Sequence, residues 1–138
     1  MPQNLNKEPI RLEVLGRIPS KKNSRNVFVR GGKLFNIPSK KYKEWHDKCS
    51  GQLITRIPAE PLNIVECVEL SFYAPDKRKA DLTNKAESIM DLLVDNKILE
   101  DDNWYNVGKI ILNFVEVDKL NPRCKISIYL KENTNEQQ

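Results

Sequence analysis

Strict alternation at both ends of the chain, with a three-to-four-residue repeat between, leaves few architectures open. Cys124, Ile126, Ile128 and Leu130 interleave with Lys125, Ser127, Tyr129 and Lys131, and a period of two assigns each set to one face of a strand. Ile10, Leu12, Val14 and Ile18 stand against Arg11, Glu13 and Arg17 in the same way, and Pro19 closes that strand. In between, Tyr42, Trp45, Cys49 and Leu53 fall on one helical stripe. That helix opens at Pro38-Ser39, with Ser39 as its cap, and runs to about Thr55. Leu82, Ala86, Ile89 and Leu93 form a second stripe from about Asp81 to Val94, with Asn84, Glu87 and Asp91 on the opposite side and Asp95-Asn96 as the stop. Asn63 to Tyr73 and Val107 to Val117 read as longer strands. Val27 to Arg30 and Lys33 to Asn36 flank Gly31-Gly32, a pair that favours a tight hairpin because both glycines tolerate positive φ. The expectation is an α+β fold: one domain, a mixed sheet of about five to six strands, and two main helices.

The 138 residues fit a single domain over 1–138, with 1–8 and 132–138 expected as flexible polar tails. No apolar run approaches the roughly 20 residues of a membrane span, so no membrane partner is expected. The segment Met1 to Glu8 lacks the apolar region of a secretory signal. The cysteines, Cys49, Cys67 and Cys124, are odd in number and far apart in sequence, unlike a disulfide framework or a zinc knuckle. They read as reduced core residues, which points to the cytoplasm.

Charge is unevenly spread. Lys21 to Lys48 holds nine Lys and Arg against Glu44 and Asp47, whereas Asp81 to Asp102 holds seven acids against Lys85 and Lys97. Charge runs often just solvate a surface; a basic segment beside a compact acidic one also suits a phosphate-binding surface next to a cation site. Magnesium takes near-octahedral oxygen ligands, commonly one to three carboxylates plus substrate phosphate. Asp81, at a helix start, is either a plain N-cap or a ligand steadied by free N–H groups. Asp91 lies about 15 Å further along the helix and cannot share an ion with it. The turn Glu100-Asp101-Asp102 is the natural donor if the chain folds back after Ile98-Leu99; otherwise it is a solvated turn.

The ordered set Ile18-Pro-Ser20-Lys21-Lys22-Asn23-Ser-Arg25, Pro75-Asp76-Lys77-Arg78-Lys79-Ala80-Asp81-Leu82-Thr83-Asn84, Asp91-Leu-Leu93 and Leu99-Glu-Asp101-Asp102 resembles the RusA family of Holliday-junction resolvases, mostly phage-borne. The likeness runs without a gap from Pro75 to Asp102. It departs at two places: Thr83 stands where the family has the second aspartate of Asp-Leu-Asp-Asn, and Glu87 where it has a helical lysine, with Lys85 two places earlier. The departures read as a coordinated swap, Glu87 supplying the lost carboxylate and Lys85 the lost cation.

The resemblance implies a RusA-like fold and a Mg²⁺-dependent endonuclease (Mn²⁺ as an alternative metal) that cuts four-way junctions in pairs as a homodimer. Asp81, Glu87, Asp102 and Lys85 would be catalytic. Asp81, Asp102, Glu87 and Asp101 would hold metal, with Asp91 supporting. Ser20, Lys21, Lys22, Asn23, Arg25, Lys77, Arg78, Lys79 and Asn84 would hold DNA. The metal would polarise the scissile phosphate and activate its water, and Lys85 would stabilise developing charge or position the water. A nuclease plan using Pro75-Asp76 with Asp95-Asn96-Lys97 needs a strand where this pattern ends a helix. His46 reads as a surface or packing residue. Trp45 and Trp104 read as core or interface anchors before base-stacking platforms. A DNA-binding protein that keeps the scaffold without cutting is the alternative.

Overall fold

The structure is a computed structural model that describes residues 8–21 and 25–132. Residues 1–7 and 133–138, most of the expected tails, lie outside the described residues, as do Lys22 and Asn23.

The chain runs β1 (Ile10–Leu15), β2 (Arg25–Arg30), β3 (Lys33–Pro38), α1 (Lys40–Leu53), β4 (Val65–Ala74), α2 (Leu82–Asp95), β5 (Ile110–Val117) and β6 (Arg123–Leu130). This is the expected α+β architecture, with the six strands divided between two sheets. Four form a sheet in the order β1-β6-β4-β5, and β2 and β3 form a separate hairpin. β6 is antiparallel to both β1 and β4, while β5 is parallel to β4. A parallel pair needs a crossover, and α2 provides it. Strands β1, β4 and β5 therefore all finish at the same end of the sheet, where the loops after β1 and β4 emerge together.

The alternation of β6 becomes the core. Cys124, Ile126 and Ile128 are buried beside Leu12 and Val14 of β1 and Val68 and Leu70 of β4. Helix α1 packs over β1 and α2 over β5, and the two helices touch. Ser39 caps α1, its Oγ accepting from Tyr42 N–H at 3.1 Å. The buried side of α2 is wider than the four-residue stripe, adding Ser88, Met90 and Leu92, because both the sheet and α1 cover it. Ile98 and Leu99 are buried below its C-terminal end, held by N–H groups of both residues on Leu93 O (3.0 and 3.2 Å).

Two strands are shorter than their patterns. β1 stops at Leu15 because Gly16 turns the chain at φ +98°, its N–H bonding Pro122 O at 2.8 Å. Ile18 stays buried on the loop that follows. β5 begins at Ile110, and Val107 makes only an isolated bridge to Val65. All three cysteines are free and buried. Burial pushes the Cys49 thiol up to about 11 and the Cys124 thiol higher still. Trp45 packs on the core, and Trp104 is 80% exposed. No helix among the described residues is long and apolar enough to cross a membrane.

A candidate nucleic-acid site at the strand ends

The loops leaving β1 and β4 and the first turns of α2 surround a cavity of about 430 Å³. Its floor is apolar, from Ile18, Phe72, Leu82, Phe114 and Val117, and its walls carry Arg17, Lys77, Arg78, Lys79 and Lys85. Open α/β layers offer ligands this place, beyond the carboxyl ends of parallel strands.

Asp76 organises the cations. Its carboxylate accepts from Arg17 Nη2 at 2.7 Å and from Arg78 Nη2 at 3.0 Å, and from the Arg78 backbone N–H at 3.0 Å. The hydrogen bonds from Arg78, then Arg17, hold its carboxyl well below the usual carboxylate range. Two guanidiniums are thus fixed side by side on one carboxylate. Lys85 Nζ donates to Ile18 O at 2.6 Å, and burial first, then Arg17 and Arg78, lower its pKa. Cations that depress one another's charge favour an anion between them.

Lys85 opens a line of contacts from α2 to the loop after β1. Ser88 Oγ, fully buried, donates to Pro19 O at 2.6 Å. Asp91 takes Lys21 Nζ on Oδ1 and Tyr42 OH on Oδ2, both at 2.8 Å. Burial would raise the Asp91 carboxyl, but the bonds from Lys21 and Tyr42 outweigh it and the net shift is downward. Burial and the Asp91 contact push Tyr42 far up. Asp91 is therefore an anchor for the loop. One turn further, His46 Nε2 lies 2.8 Å from Asp95 Oδ2. His46, Asp91 and Asp95 present ligand atoms within 4.8 Å of one another, a group that could hold a metal ion. In the structure the Lys21 ammonium already occupies a cation's place on Asp91.

Asp81 is exposed at the N-cap of α2, its Oδ1 accepting from Thr83 N–H at 3.1 Å and Thr83 Oγ1 at 2.7 Å. Thr83, in the place of an expected acid, thus serves the neighbouring acid as a donor. Asn84 is half-buried in the first turn, and Lys77, Lys79 and Glu87 are exposed. Glu87 lies about 9 Å along the axis from Asp81 and about a third of a turn round it, so the two do not share a face. The side chain of Arg25 lies outside the described residues, and Ser20 is half-buried beside Lys21 with its Oγ lacking a hydrogen-bond partner among the described residues.

Asp101 and Asp102 are elsewhere. Glu100 N–H donates to Leu62 O and Val65 N–H to Asn106 O, both at 2.9 Å, which ties the acidic turn to the start of β4. Asp81 follows the end of β4. The fourteen residues of α2 hold the two places about 21 Å apart. The turn after Leu99 therefore leaves the chain at the wrong end of the helix for a shared ion. A magnesium set of Asp81, Glu87, Asp101 and Asp102 does not close within one chain. Asp101 is itself occupied, accepting from Asp102 N–H at 2.8 Å and Asn103 Nδ2 at 3.2 Å, and these bonds lower its pKa.

Sequence reasoning missed Arg17, taken as the polar face of a strand, and Tyr42, taken only as core. The basic loop Lys77-Arg78-Lys79 signalled the site, but nothing local showed that Asp76 would gather two arginines.

No known protein family's profile matches the chain. Among curated proteins it is similar to the crossover junction endodeoxyribonuclease RusA of Aquifex aeolicus, 24% identical over 89 residues that make up 64% of this chain and 69% of that one.

Proposed function

We propose that the chain is a branched-DNA endonuclease of the RusA type, acting on four-way junctions as a two-fold pair. The observation that carries the reading is the convergence of Arg17, Arg78 and Lys85 on an apolar-floored cavity with Asp81 at the adjoining helix start. A DNA strand offers the matching chemistry. Its phosphate sits against the two guanidiniums that Asp76 has already fixed, which lowers the ordering cost of the contact. Its sugar and base cover the floor and keep water from the phosphate. Lys77 and Lys79 extend the backbone track outward, and Lys85 faces the phosphate from the helix side, where added negative charge is best stabilised.

The acids do not fit a complete magnesium site in one chain. Asp102 can meet Asp81 only when it comes from a second copy, an arrangement the symmetry of a four-way junction accommodates. The similarity to the Aquifex aeolicus RusA supports this reading. The wide separation of Asp81 from Asp102 favours a second one: a protein that binds branched DNA without cutting it.

The deciding experiment is cleavage of a synthetic four-way junction with Mg²⁺ or Mn²⁺. An endonuclease gives paired nicks that Asp81→Asn and Asp102→Asn each abolish. Cleavage surviving either change removes these residues from the site. Tight binding with no cleavage by the unaltered chain establishes the second reading.

A further inference from the structure

Helices α1 and α2 meet along polar rungs. Tyr42 and His46 stand one turn apart on α1, and Asp91 and Asp95 one turn apart on α2; residues four apart share a helix face. Tyr42 OH bonds Asp91 Oδ2 and His46 Nε2 meets Asp95 Oδ2, both at 2.8 Å. A third rung, Asn96 Nδ2 to Ser50 Oγ at 3.0 Å, follows below. The packed helices thus hold one imidazole nitrogen and two carboxylates with ligand atoms within 4.8 Å of one another.

Nitrogen with two carboxylates is a mixed donor set. It suits zinc and its neighbours among the transition ions better than magnesium, which takes an octahedron of oxygens. A tetrahedral Zn²⁺ spaces its ligand atoms about 3.4 Å apart, with water in the fourth position. Side-chain rotation closes the three groups to that spacing with the helices unmoved. A separate observation shows that this place takes a cation. The Lys21 ammonium reaches it from the loop after β1 and sits on Asp91 Oδ1 at 2.8 Å. Lys21 keeps a way out, with 35% of its side chain exposed. Its docked position also carries a cost, since the neighbouring Ser20 Oγ is shut from solvent with no hydrogen-bond partner among the described residues. An ammonium and a divalent ion repel each other strongly at a part-buried carboxylate, so only one of them can hold Asp91 at a time.

We propose that His46, Asp91 and Asp95 form a binding site for a zinc-class divalent ion, and that the ion and the Lys21 ammonium exclude each other there. When the ion binds, Asp91 Oδ1 turns from Lys21 to the metal and Lys21 moves into solvent. The loop after β1 keeps its main-chain anchors, Lys85 on Ile18 O and Ser88 on Pro19 O, and loses its side-chain tether. The site uses neither Asp81 nor Asp102, and the inference does not rest on nuclease activity.

The test titrates the full-length chain with Zn²⁺ by calorimetry and follows the His46 ring signals by NMR in parallel. Those signals are unambiguous because the chain has one histidine. One Zn²⁺ should bind per chain, with the ring signals moving in step, and Mg²⁺ should give no comparable response. His46→Ala and Asp95→Asn should each weaken binding at least about tenfold through the loss of a ligand. Lys21→Met should tighten it at least about threefold, because the competing cation is gone; damage to the fold would not produce tighter binding. No binding at about 1 mM Zn²⁺, bound Zn²⁺ that leaves the His46 signals unmoved, or affinity indifferent to His46→Ala and Asp95→Asn overturns the proposal. So does Mg²⁺ binding as tight as Zn²⁺ binding, or a Lys21→Met chain that binds Zn²⁺ no more tightly than the unaltered one.

Discussion

The separation of Asp81 from Asp102 gives its sharpest prediction in a mixing experiment. Two carboxylates on one magnesium ion bring their oxygens to within about 4 Å, since each sits about 2.1 Å from the metal. Helix α2, fourteen residues long, keeps Asp81 and the acidic turn about 21 Å apart in one chain, and two short aspartate side chains cannot bridge the difference. If both are needed for cutting, each site takes Asp81 from one copy and Asp102 from the other. Chains carrying Asp81→Asn and chains carrying Asp102→Asn should then each be inactive. Mixed and allowed to exchange, half of the dimers pair one of each. Each such dimer holds one site with both lesions and one with none, so the mixture should recover about a quarter of the unaltered cleavage sites. The product should be nicked junctions rather than resolved ones, because the second cut has no intact site. The assay is gel separation of end-labelled junction strands. Both variants active alone, or a mixture as inactive as its parts when the unaltered chain cuts, would refute the two-chain site.

Replacing Lys79 by Ala should weaken junction binding and flatten its salt dependence by about 0.9 in the log–log slope for one lost phosphate contact, measured by titration at several salt concentrations. The Asp91 carboxyl has a folded pKa below the ordinary aspartate value, so the unfolded chain takes up its proton first as pH falls. Its stabilisation is therefore fully present above about pH 5 and lost as pH drops through the folded value. Asp91→Asn should lower the denaturation midpoint at neutral pH and shrink the further loss between pH 5 and 3. The buried thiols, with Cys49 pushed up to about 11, should react with a thiol reagent at pH 8 only as the chain unfolds, giving slow labelling in buffer and fast labelling in denaturant.

Much of the fold was legible because the patterns that define it are local. The alternation of β6, the stripe of α1 with its Ser39 cap, and the Gly31-Gly32 hairpin each depend on a few neighbouring residues. What local pattern could not supply is direction. Nothing in Asn63 to Tyr73 or Val107 to Val117 says that β4 and β5 run parallel, and that single fact places Asp81 and Asp102 at opposite ends of α2. The chain does turn after Leu99, returning to Leu62, but that lies at the far end of the sheet from Asp81. Arg17 was hidden for a related reason. Its partner Asp76 lies 59 residues away, and only the shared finish of β1 and β4 brings them together. Asp91 was rightly separated from Asp81 by helix geometry alone, yet its bonds to Lys21 and Tyr42 needed the packing of three segments.

The contacts from α2 to the loop after β1 differ in what they grip. Lys85 and Ser88 hold main-chain carbonyls, of Ile18 and Pro19, not side chains. A carbonyl is present whatever amino acid stands at that position, so the path of this stretch is dictated by the helix rather than by the stretch's own residues. Substitution is then asymmetric: Pro19 can be exchanged for another residue with the track intact, whereas losing Lys85 or Ser88 frees the strand exit from its guide. If the proposed function holds, variants that retune which DNA shape the loop meets can thus be sought in the loop itself, with the helix as a fixed template.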